Sequence, residues 1–296
     1  MIIKDVVPKE LAAGGALYVV ATPIGNLRDI SPRALDVLRS VDLIAAEDTR
    51  QTARLLQEYG VRTPMSAYHE HNETSETERL VALIIQGAKL ALVSDAGTPL
   101  VSDPGFKLVR AIRDLGLPVI PIPGACALVC ALSASGMASD RFLFLGFPPR
   151  HSEARQALFQ AVSSEPGTLI LYEAGPRIQD TLMDLNVIFG SERNVVLARE
   201  LTKLYETFLE GTPTLLLKVL EQDPMQKKGE HVMLIAGARQ QLTQHAQELE
   251  EAKEILKILL DELPLKQATK LAARISGCSR NELYKTALSL LERSSY

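Results

Sequence analysis

From about residue 16 to residue 237, short apolar runs rich in Val, Ile and Leu alternate with segments of helical periodicity. That alternation is the sequence form of an α/β protein. Strands are predicted at ALYVVA (16–21), DLIAAE (42–47), KLALVS (89–94), LPVIPI (117–122), RFLFLGF (141–147), GTLILYE (167–173), NVVLARE (194–200) and HVMLIAG (231–237). Most lack polar alternation, so both faces of such strands should be covered. Between them, Ser31 with Pro32 opens a helix running to about Arg39, and Asp103 with Pro104 opens another that Gly116 closes. Ser75 followed by Glu78 reads as a capping box for a helix through about Ile85. The stretch VIPIPG (119–124) suits a linker or domain junction better than a continuing sheet.

After Gly237 the pattern becomes helical without strands. Pro264 starts one helix and Gly277 ends it, while Ser279 with Glu282 caps the next, a helix-turn-helix outline. These signals divide the chain into a tail (1–15), a first α/β domain (16–122), a second (123–240) and a small helical domain (241–296).

Charge adds one constraint. The 296 residues carry a net charge of −4, so the average surface does not attract a polyanion and any nucleic-acid contact rests on a local basic face. The helical segment supplies one. Gln247 to Glu262 has six acidic residues against two lysines, whereas Pro264 to Tyr296 has six basic residues against two acidic ones. Three cysteines without a CxxC pair make neither a disulfide framework nor a zinc ribbon, which points to a reducing, cytoplasmic compartment. No apolar run approaches the roughly 20 residues needed to span a bilayer, and charges interrupt the opening MIIKDVVPKELAAGG.

No two glycines stand two positions apart and no GxxxxGK[ST] occurs, so the dinucleotide fingerprint, the P-loop and the glycine-rich loop of the commonest methyltransferase fold are all absent. The ligand site of an open α/β sheet should nevertheless lie at the carboxyl ends of its strands. Three loops at such ends stand out: TPIGN (22–26), SDAGTPLVSDPG (94–105) and IPGACA (122–127). The second is the most telling, because a plain turn does not need twelve residues so biased toward small, acidic and proline side chains. Cys126 and Cys130 lie one helical turn apart and read as buried small side chains. Polar clusters end other strands: AEDTR (46–50), YHEHNE (68–73), YEAGPR (172–177) and ARELTK (198–203), which should converge on a cleft. His69 and His71 lack an obvious third ligand, so no metal is expected.

TPIGN, AEDTR, HEHN, SDAGTP, PGACA and ARELTK, in this order and spacing, resemble the tetrapyrrole methylase superfamily, and within it a branch that methylates ribosomal RNA. The likeness runs from about Leu17 to the C-terminus. It implies two α/β domains of tetrapyrrole-methylase type enclosing a cleft for S-adenosyl-L-methionine, with a small C-terminal helical domain. By resemblance, Pro23, Ala96, Gly97, Thr98, Val101, Cys126 and Ala127 line the cofactor, joined by Tyr172 and Gly211; Asp95 is added from chemistry. The branch implies 2′-O-ribose methylation of a cytidine in the decoding region of 16S rRNA, by a homodimer. This chain departs from the pattern at Pro176, where relatives commonly carry a histidine, and within PGACA, where they commonly carry a second Pro or a Ser.

A ribose hydroxyl is a poor nucleophile until its proton leaves, so a base or acceptor is expected. Asp48, His69 and Glu200 are candidates, with Arg199, Arg50 and Lys203 available to hold phosphate or stabilise developing charge. Lys266, Lys270, Arg274, Arg280 and Lys285 are the expected RNA contacts of the helical tail. Two alternatives are a precorrin-type C-methyltransferase, disfavoured by the basic tail and 5% aromatic content, and a non-catalytic RNA-binding protein with a degenerate cofactor fold.

Overall fold

The computed structural model describes residues 14–238, 252–260, 262–279 and 283–287. The N-terminal stretch 1–13, Arg280 and Glu282 lie outside them, and with Glu282 the second capping box. Two compact units emerge, Met1–Ala236 and Gly237–Tyr296.

The larger unit holds two five-stranded sheets. The first is wholly parallel, with β1 (Ala16–Val20), β2 (Leu43–Ala46), β3 (Met65–Ala67), β4 (Lys89–Val93) and β5 (Val119–Ile122) in the order β3-β2-β4-β1-β5. Side-chain alternation divides its strands between two cores. Ala16, Tyr18, Val20, Ala91 and Val93 pack on one face with α1 (Pro32–Ser40) and α2 (Thr49–Glu58). Leu17, Leu90 and Leu92 pack on the other with α3 (Glu73–Ile85) and α4 (Phe106–Asp114). Continuous apolar runs are therefore what this sheet requires. Adjacent β1 and β4 send their helices to opposite faces, so the loops above their carboxyl ends diverge and open a crevice.

The second sheet is mixed. It contains β6 (Phe142–Phe144), β7 (Thr168–Ala174), β8 (Val195–Arg199), β9 (Thr207–Gly211) and β10 (Glu230–Ile235) in the order β6-β7-β10-β8-β9, with β10 antiparallel to both neighbours. Met233, Ile235, Leu197 and Leu171 meet α6 (Ser152–Ala161), α7 (Ile178–Phe189) and α8 (Pro213–Gln222). On the other face Val232, Leu234, Val196 and Ile170 meet α5 (Ala127–Ala134) together with Ile24 and Val101 from the first sheet's loops. That fourth core is the joint between the sheets.

Several elements start elsewhere than the sequence pattern indicates. Ser31 caps α1 as expected, accepting from the Ala34 N–H. Helix α4 instead begins at Phe106 behind Gly105, whose φ of 133° and close approach to Leu92 and Leu100 exclude a side chain; Asp103 is free of capping duty. Helix α3 begins at Glu73, so Ser75 lies inside it and bonds back to the Asn72 carbonyl. VIPIPG forms a true strand before the chain leaves the sheet, and Pro121 is tolerated because β5 is an edge. Strand β9, absent from the predicted elements, is the opposite sheet's edge.

In the smaller unit, residues 252–260 are helical, as is Leu265–Ser276, which Gly277 closes in the left-handed conformation. Ala268, Thr269 and Ala272 form its buried face with Ala252, Leu256, Leu283 and Ala287. Lys266, Lys270 and Arg274 recur every four residues and are exposed. No described helix is long and apolar enough to cross a membrane.

Helices α6 and α7 are pinned by a buried ion pair: Arg155 Nε donates to Asp184 Oδ2 at 2.6 Å, and Ser152 and Gln156 donate to Asp184 Oδ1. Removing the cation strands a buried carboxylate. Arg155→Met is expected to destabilise the protein by about 3 kcal/mol, read as a lowered urea midpoint.

Candidate active site

The loops after β1 and β4 are tied together before either reaches a ligand. Thr22 and Gly97 exchange both backbone hydrogen bonds, at 2.8 and 3.1 Å, and the Thr22 hydroxyl donates to the Ser94 carbonyl. Gly97 sits at φ 85°, while Leu100 and Ser102, without being glycine, hold φ of 73° and 68°. Such strained backbone collects at functional loops. Thr98 then donates to the Ala125 carbonyl at 3.0 Å, fastening this loop to the one that starts α5. From the other sheet, the Tyr172 hydroxyl accepts from the Leu128 N–H at 3.1 Å.

Gly25 brings the two sheets into contact. A Cβ there would stand 2.5 Å from Lys203 Cγ and 3.0 Å from the Leu201 carbonyl, so the TPIGN loop seats directly on the turn after β8.

These contacts enclose a cavity of about 290 Å³ lined from both sheets. Asp95, Ala96, Gly97, Thr98 and Val101 contribute from the first, and Tyr172 from the second. Cys126 and Ala127, at the start of α5, line it as well, with Cys126 half-buried as a free thiol. Pro23 is next to the lining residue Ile24 without lining the cavity itself. Gly211 is a correction: it pairs with Val195 at the far end of β8 from Ala198, and its Cα packs on Leu215.

One wall is acidic. Glu47, at the end of β2, accepts from the Asp95 N–H; Asp95 in turn accepts from the Asp48 N–H at 2.9 Å and from Gln51 at 3.0 Å. Burial raises the pKa of both carboxylates. Asp103 shares this wall, and burial pushes its pKa up to about 6 against the hydrogen bond from Ser94. The opposite wall is apolar, formed by Phe147, Ala198, Leu201 and Val232. Lys203 lines the rim with its ammonium bonded to Glu200 at 2.9 Å and Glu230 at 2.7 Å.

The expected catalytic side chains fare less well. Asp48 caps α2 and chelates Arg50, whose hydrogen bonds hold its pKa at about 2, too low for a base working near neutrality. Arg50 is exposed beside it, outside the cavity lining. Arg199 is buried in the sheet, donating to the carbonyls of Lys228 and Tyr205, so its charge serves structure. Glu200 is held by Lys203 and the Glu230 N–H; these outweigh its burial and lower its pKa. His69 lies in the turn after β3, where its N–H donates to Asn72 Oδ1, and does not line the cavity. It stands edge-on to His71, and no group of metal-ligating side chains forms among the described residues.

His231 also borders the cavity, but strand alternation gives its side chain the face of Met233 and Ile235, in register with buried Glu173 and Arg199. Burial lowers its pKa to about 4, leaving a neutral imidazole with neither ring nitrogen hydrogen-bonded.

Comparison with known proteins now becomes decisive. Residues 16–216 match the family model of tetrapyrrole (corrin/porphyrin) methylases, and residues 246–291 match the RsmI C-terminal HTH domain. Ribosomal RNA small subunit methyltransferase I of Pseudomonas aeruginosa is 51% identical over 277 residues, covering 93% of this chain and 98% of its own. The Escherichia coli O157:H7 protein of the same name is 49% identical over 278 residues, covering 93% and 95%. The chain belongs to the tetrapyrrole methylase family, in its ribosomal RNA small subunit methyltransferase I branch. The fold agrees: a diphthine synthase structure superposes with TM-score 0.59 at 16% identity over 75% of this chain and 90% of that one, and the methyltransferase CobJ with 0.55 at 17% over 76% and 95%.

Tyr172 fastens the second sheet to the start of α5 beside the cavity. Tyr172→Phe leaves the Leu128 N–H without its acceptor, so stability is expected to fall by about 1–2 kcal/mol, measured by urea unfolding.

Proposed function

We propose that the chain is a cytoplasmic, homodimeric methyltransferase that takes its methyl group from S-adenosyl-L-methionine and delivers it to the ribose 2′-oxygen of a cytidine in the decoding region of 16S rRNA. The observation that carries the reading is the two-sided cavity. Its acidic wall suits a ligand bearing a sulfonium and an ammonium charge, and its apolar wall suits a thioether and an adenine ring. Asp95, Ala96, Thr98, Val101, Cys126 and Tyr172 are the groups that would hold it. Gly97 contributes shape rather than hydrogen bonds, since its N–H and carbonyl are spent on Thr22.

The bound donor supplies an already activated methyl group. What remains for the protein is to bring one hydroxyl into line, exclude water and remove a proton. The acidic wall repels phosphates, so a ribose must enter while its flanking phosphodiesters stay outside. For the helical unit by itself, the exposed row Lys266, Lys270 and Arg274 is the surface we assign to RNA phosphates, and Lys285 and Arg280 are further candidate contacts from the sequence. Relatives at about 50% identity carry the ribosomal RNA name, which favours RNA over a macrocycle as acceptor.

Reaction with small ribosomal subunits and labelled S-adenosylmethionine is expected to place one methyl group on a cytidine ribose of 16S rRNA, mapped by mass spectrometry of nuclease fragments. Label on a base, or none, would refute the acceptor. Replacing Lys266, Lys270 and Arg274 together by Ala should lower the slope of log affinity for RNA against log salt by about 2–3, with donor affinity by calorimetry unchanged. An unaltered slope would remove this face from the RNA contact.

A further inference from the structure

The cavity presents several charged groups, and all but Asp103 are at least partly engaged by a neighbour, while the unpartnered His231 is neutral and turned to the sheet's other face. Glu47 accepts from the Asp95 N–H. Both oxygens of Asp95 are taken, by the Asp48 N–H and by Gln51. Lys203 is shared between Glu200 and Glu230, and the Tyr172 hydroxyl receives the Leu128 N–H. Asp103 differs. Among the described residues no cation pairs with it, and the neighbouring Ser94 favours its ionised form. It lines the cavity on the strained turn between Ser102 and Gly105, both at positive φ, in a loop relieved of helix capping by Gly105.

We propose that Asp103 is the catalytic base, accepting the proton of the acceptor hydroxyl as the methyl group is transferred. The proposal rests on the reading of the acceptor as a ribose 2′-hydroxyl. In this step the O–H bond breaks and its proton passes to the Asp103 carboxylate. The freed electron pair forms the O–CH₃ bond while the S–CH₃ bond of the sulfonium breaks, its pair remaining on sulfur as a neutral thioether. Positive charge on the donor becomes a proton on the protein, which then leaves to water.

The surroundings fit this task. Glu47 at the end of β2, Asp95 after β4 and Tyr172 on β7 all face the same space, and none brings a cation to Asp103. A carboxylate half-buried among like charges is a stronger base than a solvated one, yet at about 6 it is still ionised at neutral pH. Asp48 and Glu200, held low by Arg50 and Lys203, lack that basicity.

The test is single-turnover transfer from labelled S-adenosylmethionine to small ribosomal subunits. For D103N, the rate constant is expected to fall about 100-fold or more while donor affinity, by calorimetry, stays within about threefold. In the wild-type protein the rate constant should rise with pH through an inflection near 6 and level off above it, because the base must be ionised. D103E should retain part of the rate and a displaced inflection. A D103N rate within about fivefold of wild type, or a matching loss of donor affinity, overturns the proposal. If D103N does not fold, a flat wild-type profile between pH 5 and 8 overturns it instead. Absence of ribose methylation by the wild-type protein overturns the acceptor reading and this proposal with it; ribose methylation with an undiminished D103N rate overturns this proposal alone.

Discussion

The site depends on one close approach, the seating of the first sheet's loops on the second sheet's open face. Gly25 lies where a single added carbon would strike Lys203 and Leu201, and Ile24 and Val101 are part of the core that Val232 and Leu234 build. Because this joint is apolar and tightly packed, core packing holds the loops of the first sheet against the second. Thr22–Gly97, Thr98–Ala125 and Tyr172–Leu128 then lock each loop to its neighbour. No step of this construction needs a glycine-rich fingerprint, since the ligand-facing loops are shaped by cross-bonds and left-handed turns.

Electrostatics separates two tasks that one surface could not serve. On the proposed reading, a wall of carboxylates attracts a cationic donor, and it repels a phosphodiester chain by the same charge. The basic residues of the helix Leu265–Ser276 stand at every fourth position with their alanine face buried, which is how a short helix offers cations without disturbing its own packing. A net charge near zero is therefore the sum of two opposed local requirements, and it says little about the partner.

Much of this was legible in the sequence, and the failures have physical causes. The central strands of both sheets read clearly because residues buried on two faces leave no polar interruption. Strand β9 escaped because it is an edge: Phe208 and Glu210 are exposed, so TFLEG shows neither a continuous run nor an apolar stripe. The loop SDAGTPLVSDPG stood out by its composition, and Asp95 to Thr98, Val101, Ser102 and Asp103 of it line the cavity. Gly211 was misplaced because antiparallel register, invisible in one dimension, carries β9 away from the site. The charged candidates were read as catalytic from position alone. Asp48, Glu200 and Arg199 each sit at the right strand end, but every one is neutralised or bonded by a neighbour that sequence cannot reveal.

Asp103 shows the converse. Asp-Pro before a helical run is the signal of an N-cap, and that reading hid the residue's freedom. Helix α4 starts two residues beyond Pro104 because Gly105 adopts a conformation closed to other residues, and the loop before Asp103 holds Leu100 and Ser102 in left-handed backbone as well. The strain has a structural consequence: it lifts the aspartate out of the helix start, where N–H groups would have lowered its pKa, and sets it against Glu47 and Asp95, where burial raises it. A carboxylate used as a cap is a weak base by construction. One moved three residues upstream of the helix becomes a strong one, at the cost of a few unfavourable dihedrals held in place by the packing of Gly105 against Leu92.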